Sequence, residues 1–259
     1  MTNPPLVGLA IFGVIVAGTF VGWAIGQRLP TNHASEETKK LVSVSMAVVA
    51  TVSALVLGLL ISNANTGFVA RSAQVTRLSA DIIRLDRILR RYGPEADSAR
   101  DVLRQYAESK AADMFPETAG VPVRVDNDAT YELLMRVEDM LLRLRPADAR
   151  QQWWITQAMN LAANIGNARW LLAQQEGQGI PTPFLCLVTF WLTLLFASFG
   201  LFAPRHSTSA IALVLCALAV SGAVEMILEL EQPFDRLVRI SPVPMRNAVA
   251  ELHEGPGVD

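Results

Sequence analysis

The stretch LVSVSMAVVATVSALVLGLLIS (41–62) runs directly into NANTGFVARSAQVTRLSADIIRLDRILRRYGP (63–94), and its reading decides the fold. The first part carries no charge and exceeds the roughly 20 apolar residues a helix needs to cross a bilayer. The second part keeps a helical period: Leu78, Ile82, Leu85, Leu89 and Tyr92 recur every three or four residues. That spacing predicts an amphipathic helix with a coiled-coil-like seam. Gly67 is the only weak breaker before Gly93-Pro94 stops the pattern. One helix is therefore predicted to leave the bilayer and continue in water.

Three other stretches, 6–26, 183–203 and 207–224, are also long, apolar and free of charge. Four crossings imply an all-α integral membrane protein, its spans in two pairs around a polar middle. The expected organisation is 1–66 for spans one and two, 67–180 for a helical module, 181–231 for spans three and four, and 232–259 for a tail. Segment 6–26 has no basic residues ahead of it and no clear cleavage site behind it, so it reads as a retained span. Pro204-Arg205-His206-Ser207 joins the last two spans in a tight turn, which makes them antiparallel.

Span two has two unlike faces. Ala47, Thr51, Ala54, Gly58, Ser62 and Asn65 recur at intervals of three or four, a stripe of small and polar residues. Val48, Val52, Leu55 and Leu59 supply bulk elsewhere. Thr51, Ala54, Gly58, Ser62, Asn63 and Asn65 are the candidates to line a conduit, because hydroxyl and amide groups can replace part of an ion's hydration shell. Arg71 and Arg77 follow and would raise the local anion concentration at an inner mouth. Span one carries Gly18, Gly22 and Gly26, whose four-residue spacing lets another helix backbone come close; in an assembly this face would join subunits. Glu225 lies near the end of span four. A carboxylate inside a span is costly and commonly marks an ion or proton path, whereas at headgroup depth it is unremarkable. Glu229 and Glu231, further on, are expected to be more exposed.

The middle segment carries 15 Lys/Arg and 15 Asp/Glu. This balance gives no reason to expect nucleic acid as a partner. Helices are predicted over 95–114, 128–144 and 147–175, with Asn127 or Asp126 capping the second. The inward residues expected on the third include Trp153, Ile155, Met159, Ala162, Ala163 and Trp170. Valines around 121–125 allow a short strand that nothing obvious pairs with. Catalytic motifs are absent, so no enzyme activity is expected. His33, His206 and His253 fall in two loops and the tail; no metal or other cofactor is expected. Cys186 and Cys216 read as small packing residues inside spans.

Connectivity puts both termini and the module on one side. Basic residues near the span ends are Arg71, Arg77, Arg169, Arg236 and Arg239 on that side, against Arg28, Lys39, Lys40 and Arg205 on the other. The basic helix 71–91 suits an anionic cytoplasmic leaflet, so the module is placed in the cytoplasm.

The strings GLLISNAN (58–65), RLSADIIRLDRILRRYGPEA (77–96), WLTLLFASFGLFAPR (191–205) and ILELEQPFDRLVRISPVPMRNAV (227–249) together resemble a bestrophin-like family of bacterial membrane proteins of unknown function. The resemblance covers nearly the whole chain. It implies kinship with bestrophins, which are homopentameric chloride channels with four spans per subunit and a helical cytoplasmic module. Bestrophin pores narrow at bulky apolar and aromatic residues of the second span, whereas residues 41–62 here contain no aromatic. The expectation is a self-associating ion channel of the bacterial inner membrane, with inorganic ions and the lipid bilayer as partners. The alternative is a non-conducting membrane module that assembles or senses through its cytoplasmic helices, with the stripe serving only close packing.

Overall fold

The computed structural model describes residues 4–28, 35–116, 118, 121–175, 182–204, 206–234 and 238–254. His33, Arg205 and Arg236, and the breakers Pro30, Gly120, Gly177, Gly179 and Pro181, lie outside them. Among the described residues eight α-helices follow in order: α1 (Pro4–Arg28), α2 (Glu36–Tyr92), α3 (Asp97–Met114), α4 (Asp128–Arg143), α5 (Ala149–Gln175), α6 (Thr182–Phe202), α7 (Ser207–Glu231) and α8 (Val243–Glu254). Among the described residues there is no strand, and Val121–Val125 run as irregular chain. Four helices, α1, α2, α6 and α7, are long and apolar enough to cross a membrane.

The 57 residues of α2 form one uninterrupted helix. Ser35 opens it by accepting the Thr38 amide at 3.2 Å, and Glu36 and Glu37 place negative charge at its N-terminal end. Gly67 does not break it, because a single glycine costs only about 1 kcal/mol in a helix. Gly93 does end it: its φ of 128° is a conformation that other L-residues rarely adopt.

The chain divides into two compact units, residues 1–67 with 180–232 and residues 68–179 with 233–259. In the first, α1 packs most extensively on α6 and next on α7, while α6 and α7 touch each other little. The tight turn makes α6 and α7 consecutive, but α1 is the helix they share. Its glycines explain the choice of partner. A Cβ on Gly18 would stand 2.7 Å from Thr193 Cγ2, and one on Gly26 2.5 Å from the Leu201 carbonyl. One on Gly22 would collide with the Ala197 carbonyl, and one on Gly200 of α6 with that of Thr19. The glycine face of α1 is thus occupied within the chain, and this corrects the expectation that it would join subunits.

In the second unit, Leu78, Ile82, Leu85 and Leu89 of α2 meet Leu103 and Tyr106 of α3, Leu134 and Leu141 of α4, and Ile165 of α5, all essentially buried. Each such aliphatic side chain contributes about 1.5–3 kcal/mol. Asn127 caps α4, its Oδ1 accepting the Ala129 amide at 3.1 Å. The inward face of α5 is Ile155, Ala158, Ala162, Ile165 and Leu172; Trp153, Ala163 and Trp170, expected inward, are exposed. The C-terminal residues read as a tail form α8, which lies on α3 and sends Met245, Ala248 and Leu252 into the core.

Charge inside this unit is paired. Asp86 is 1% exposed. It accepts a hydrogen bond from Arg100 Nε at 3.0 Å, and Arg90 Nε stands 2.7 Å away as an ion pair too bent to count as a hydrogen bond. Burial works against the Arg100 charge, but Asp86 and Asp97 outweigh it and hold the guanidinium pKa above its ordinary value. Arg87 bridges from α2 to Glu251 of α8 at 2.9 Å.

Candidate functional site

Within the first unit, α2 meets the other spans along one side only. Ser53 and Ala64 are buried, and Val56, Leu57 and Leu60 pack on the cluster formed by α1, α6 and α7. Only 6% of the most apolar window of α2 is buried, against 22–28% for the other three spans. Most of this span's surface is left for something other than its own chain.

That surface sorts into two faces. At about 100° per residue, Thr51, Ala54, Gly58, Ser62 and Asn65 share a strip centred roughly 135° around the helix from Ser53, with Ala47 in line. All of them are exposed. Asn63 falls off the strip, on the side of the bulky residues. Those residues, Val48, Val52, Leu55 and Leu59, are 41–70% exposed and form the second face.

Chemistry distinguishes the two. Thr51 Oγ1, on the strip, donates to the Ala47 carbonyl at 2.9 Å. Its proton is satisfied by its own helix, while the oxygen lone pairs stay available to water or an ion. Gly58 is the informative glycine. A Cβ there would meet nothing within 4 Å, so its small size answers no contact inside the chain, in contrast to Gly18, Gly22 and Gly26.

The two arginines do not act together. Arg77 is exposed, but Arg71 is only 9% exposed. Six residues apart on a helix, they point roughly 120° from each other. The expected pair of mouth charges therefore reduces to Arg77, with Arg84 and Arg87 further along also exposed. Beside them burial holds the Asp81 carboxyl pKa above its ordinary value, against the pull of Arg84 and Arg77.

Glu225 is half-buried against α1: a Cβ on Gly8 would stand 3.1 Å from both its Cβ and its Oε2. It faces a neighbouring helix rather than open lipid. Glu229, expected to be more exposed, is 5% exposed; at about 100° per residue it lies roughly 140–160° around α7 from buried Val224 and Ile227, so α7 is covered on more than one side near its C-terminal end. Sequence reasoning also missed Ser53. Its hydroxyl is buried and without a hydrogen bond; helical phase sets it apart from the strip, but only the packing of α2 shows that this side is covered. Among the described residues no three His, Cys, Asp or Glu side chains converge as a metal site.

Four spanning helices, the second continuing unbroken into a helical unit, define an all-α integral membrane protein. The family model for the bestrophin-like domain matches residues 13–245, and the chain belongs to that family. Solved structures agree on the fold. A mutant of a bacterial bestrophin homologue from Klebsiella pneumoniae is similar over 94% of this chain and 97% of its own, with a TM-score of 0.69 at 14% identity. A second mutant of that homologue gives a TM-score of 0.67 at 15% identity over 95% and 98% of the two chains. A structure described only as a membrane protein gives 0.68 at 13% identity over 94% and 97%. No curated protein matches the chain.

Proposed function

We propose that this chain is one subunit of a homo-oligomeric ion channel of the bacterial inner membrane. Copies of α2 surround a central axis, and the strip Thr51, Ala54, Gly58, Ser62 and Asn65 lines it. The carrying observation is the exposed, slim and hydroxyl-bearing strip, whose Gly58 has no intrachain contact to explain it. The bulky face, Val48, Val52, Leu55 and Leu59, would meet a neighbouring subunit or acyl chains. The glycine face of α1, occupied within the chain, is not available for subunit contacts.

Family membership supports self-association, with five subunits as the expected number. The helical unit and both termini lie in the cytoplasm in this reading, where exposed Arg77 would concentrate anions near the inner mouth. Permeating anions of the chloride type follow from that charge. Glu225, set against α1, and the buried Glu229 are left outside the permeation path.

The test is water access along α2 together with conductance. After Cys186 and Cys216, both exposed, are replaced, cysteines at 51, 54, 58 and 62 should react with a membrane-impermeant thiol reagent. Cysteines at 48, 52, 55 and 59 should not. Purified protein in planar bilayers should conduct, and Thr51→Phe should reduce the current by about tenfold or more by narrowing the axis. A dry strip and a silent bilayer would favour a non-conducting assembly module, in which the same small residues serve only helix packing.

A further inference from the structure

A cavity of about 290 Å³ lies in the membrane unit where α1, α6 and α7 meet beside the α6–α7 turn. Val16, Phe20 and Val214 are among its apolar walls, while His206, Ser207 and Ser209 stand at the turn end. Polarity is therefore graded along its length. The deep wall offers no hydroxyl proton, because Thr19 Oγ1 is turned back to the Ile15 carbonyl at 3.0 Å. The apolar walls offer water no hydrogen-bond partners, and left empty they forfeit dispersion contacts. In a bilayer the filler at hand is an alkyl chain.

Size and charge narrow the occupant further. The volume sits at the lower edge of the roughly 300–1,000 Å³ of small-molecule pockets, enough for one slim chain and not for a two-tailed lipid. Among the described residues no acidic side chain lines it, and His206 is the only ionisable one. His206 is also the N-cap of α7 and makes no side-chain cap bond. The first-turn amides of a 25-residue helix therefore lie beside the same opening. We propose that this cavity binds a single-chain carboxylate amphiphile, a free fatty acid of medium length, with its alkyl chain among Val16, Phe20 and Val214 and its carboxylate at His206 and Ser207. The site is separate from the α2 strip and does not depend on conduction.

Equilibrium binding of radiolabelled decanoate to the purified full-length chain in detergent tests this. Saturable binding of one decanoate per chain is expected. Ala210→Trp and Val16→Trp, which fill the cavity from opposite walls, should each weaken it at least about tenfold through lost methylene burial. Ile211→Trp, at a neighbouring position that is 60% exposed and outside the lining, should leave it intact. Decyltrimethylammonium, with the same chain and the opposite charge, should compete poorly. Unsaturable uptake that scales with detergent, binding unchanged in both filling variants, or equal competition by the cationic amphiphile would each overturn the proposal. The competition arm uses the unaltered chain, so it stands even where a filling variant fails to fold.

Discussion

Gly22→Ala is the sharpest probe of the membrane unit, because one methyl group sets two known effects against each other. In a helix interior alanine is favoured over glycine by about 1 kcal/mol. That gain alone would make the substitution stabilising. The new Cβ, however, would collide with the Ala197 backbone carbonyl of α6, and backbone cannot swing aside as a side-chain tip can. Relief requires α1 and α6 to separate over a contact that also includes Gly18 at Thr193 and Gly26 at Leu201. Overpacking of this kind costs about 1–3 kcal/mol, so the net expectation is a loss of up to about 2 kcal/mol. Gly13→Ala is the matched control: it lies on the same helix, and its Cβ would meet nothing within 4 Å. There only the propensity term acts, and the change should be neutral or stabilising by up to about 1 kcal/mol. Thermal unfolding in detergent, followed by circular dichroism and by the loss of monodisperse protein, gives both values. If the two variants shift the midpoint in the same direction by the same amount, the close approach of α1 to α6 is refuted.

Two further outcomes follow for the helical unit. Asp86→Asn leaves Arg90 and Arg100, 15% and 25% exposed at their side chains, without their shared carboxylate; denaturant unfolding should report a loss of about 3 kcal/mol, and a loss under 1 kcal/mol would show that the pair is solvated. Burial raises the Asp81 carboxyl pKa above its ordinary 3.8, so its protonated form is the one the fold favours. The stability it contributes is full below that ordinary value and lost as pH rises through the folded one. Asp81→Asn should therefore raise the melting midpoint at neutral pH, with the gain shrinking in acid; an equal gain at both would remove burial as the cause.

Much of the architecture was legible because the lipid phase constrains sequence so strongly. An uncharged run of about 20 residues has few fates other than crossing, so α1, α2, α6 and α7 could be placed from composition alone. The continuity of α2 was readable from the unbroken period through Leu78, Ile82, Leu85 and Leu89, and the cap of α4 was narrowed to Asn127 or Asp126, of which the structure shows Asn127. Local chemistry sufficed in each case. The strip Thr51, Ala54, Gly58, Ser62 and Asn65 was equally visible, since helical phase depends on numbering alone, and the same arithmetic sets Asn63 apart from it.

Partner identity was not legible, because nothing local encodes it. A run of glycines at four-residue spacing says that some backbone comes close; only the packing shows that α6 is that backbone, and that the face is already taken. Arg71 and Arg77 look alike as neighbours in sequence, yet one is buried and the other exposed, a difference set by which side of α2 is covered. Glu229 and the residues of α8 carry the same lesson: their polarity and terminal position suggested exposure, and contacts distant in the chain bury them. Sequence by itself determined the number of crossings, the length of α2 and the existence of a slim polar side, because these depend on periodicity and on the thickness of the bilayer. Tertiary structure alone decided which side of each helix is covered, because burial is a property of pairs of surfaces.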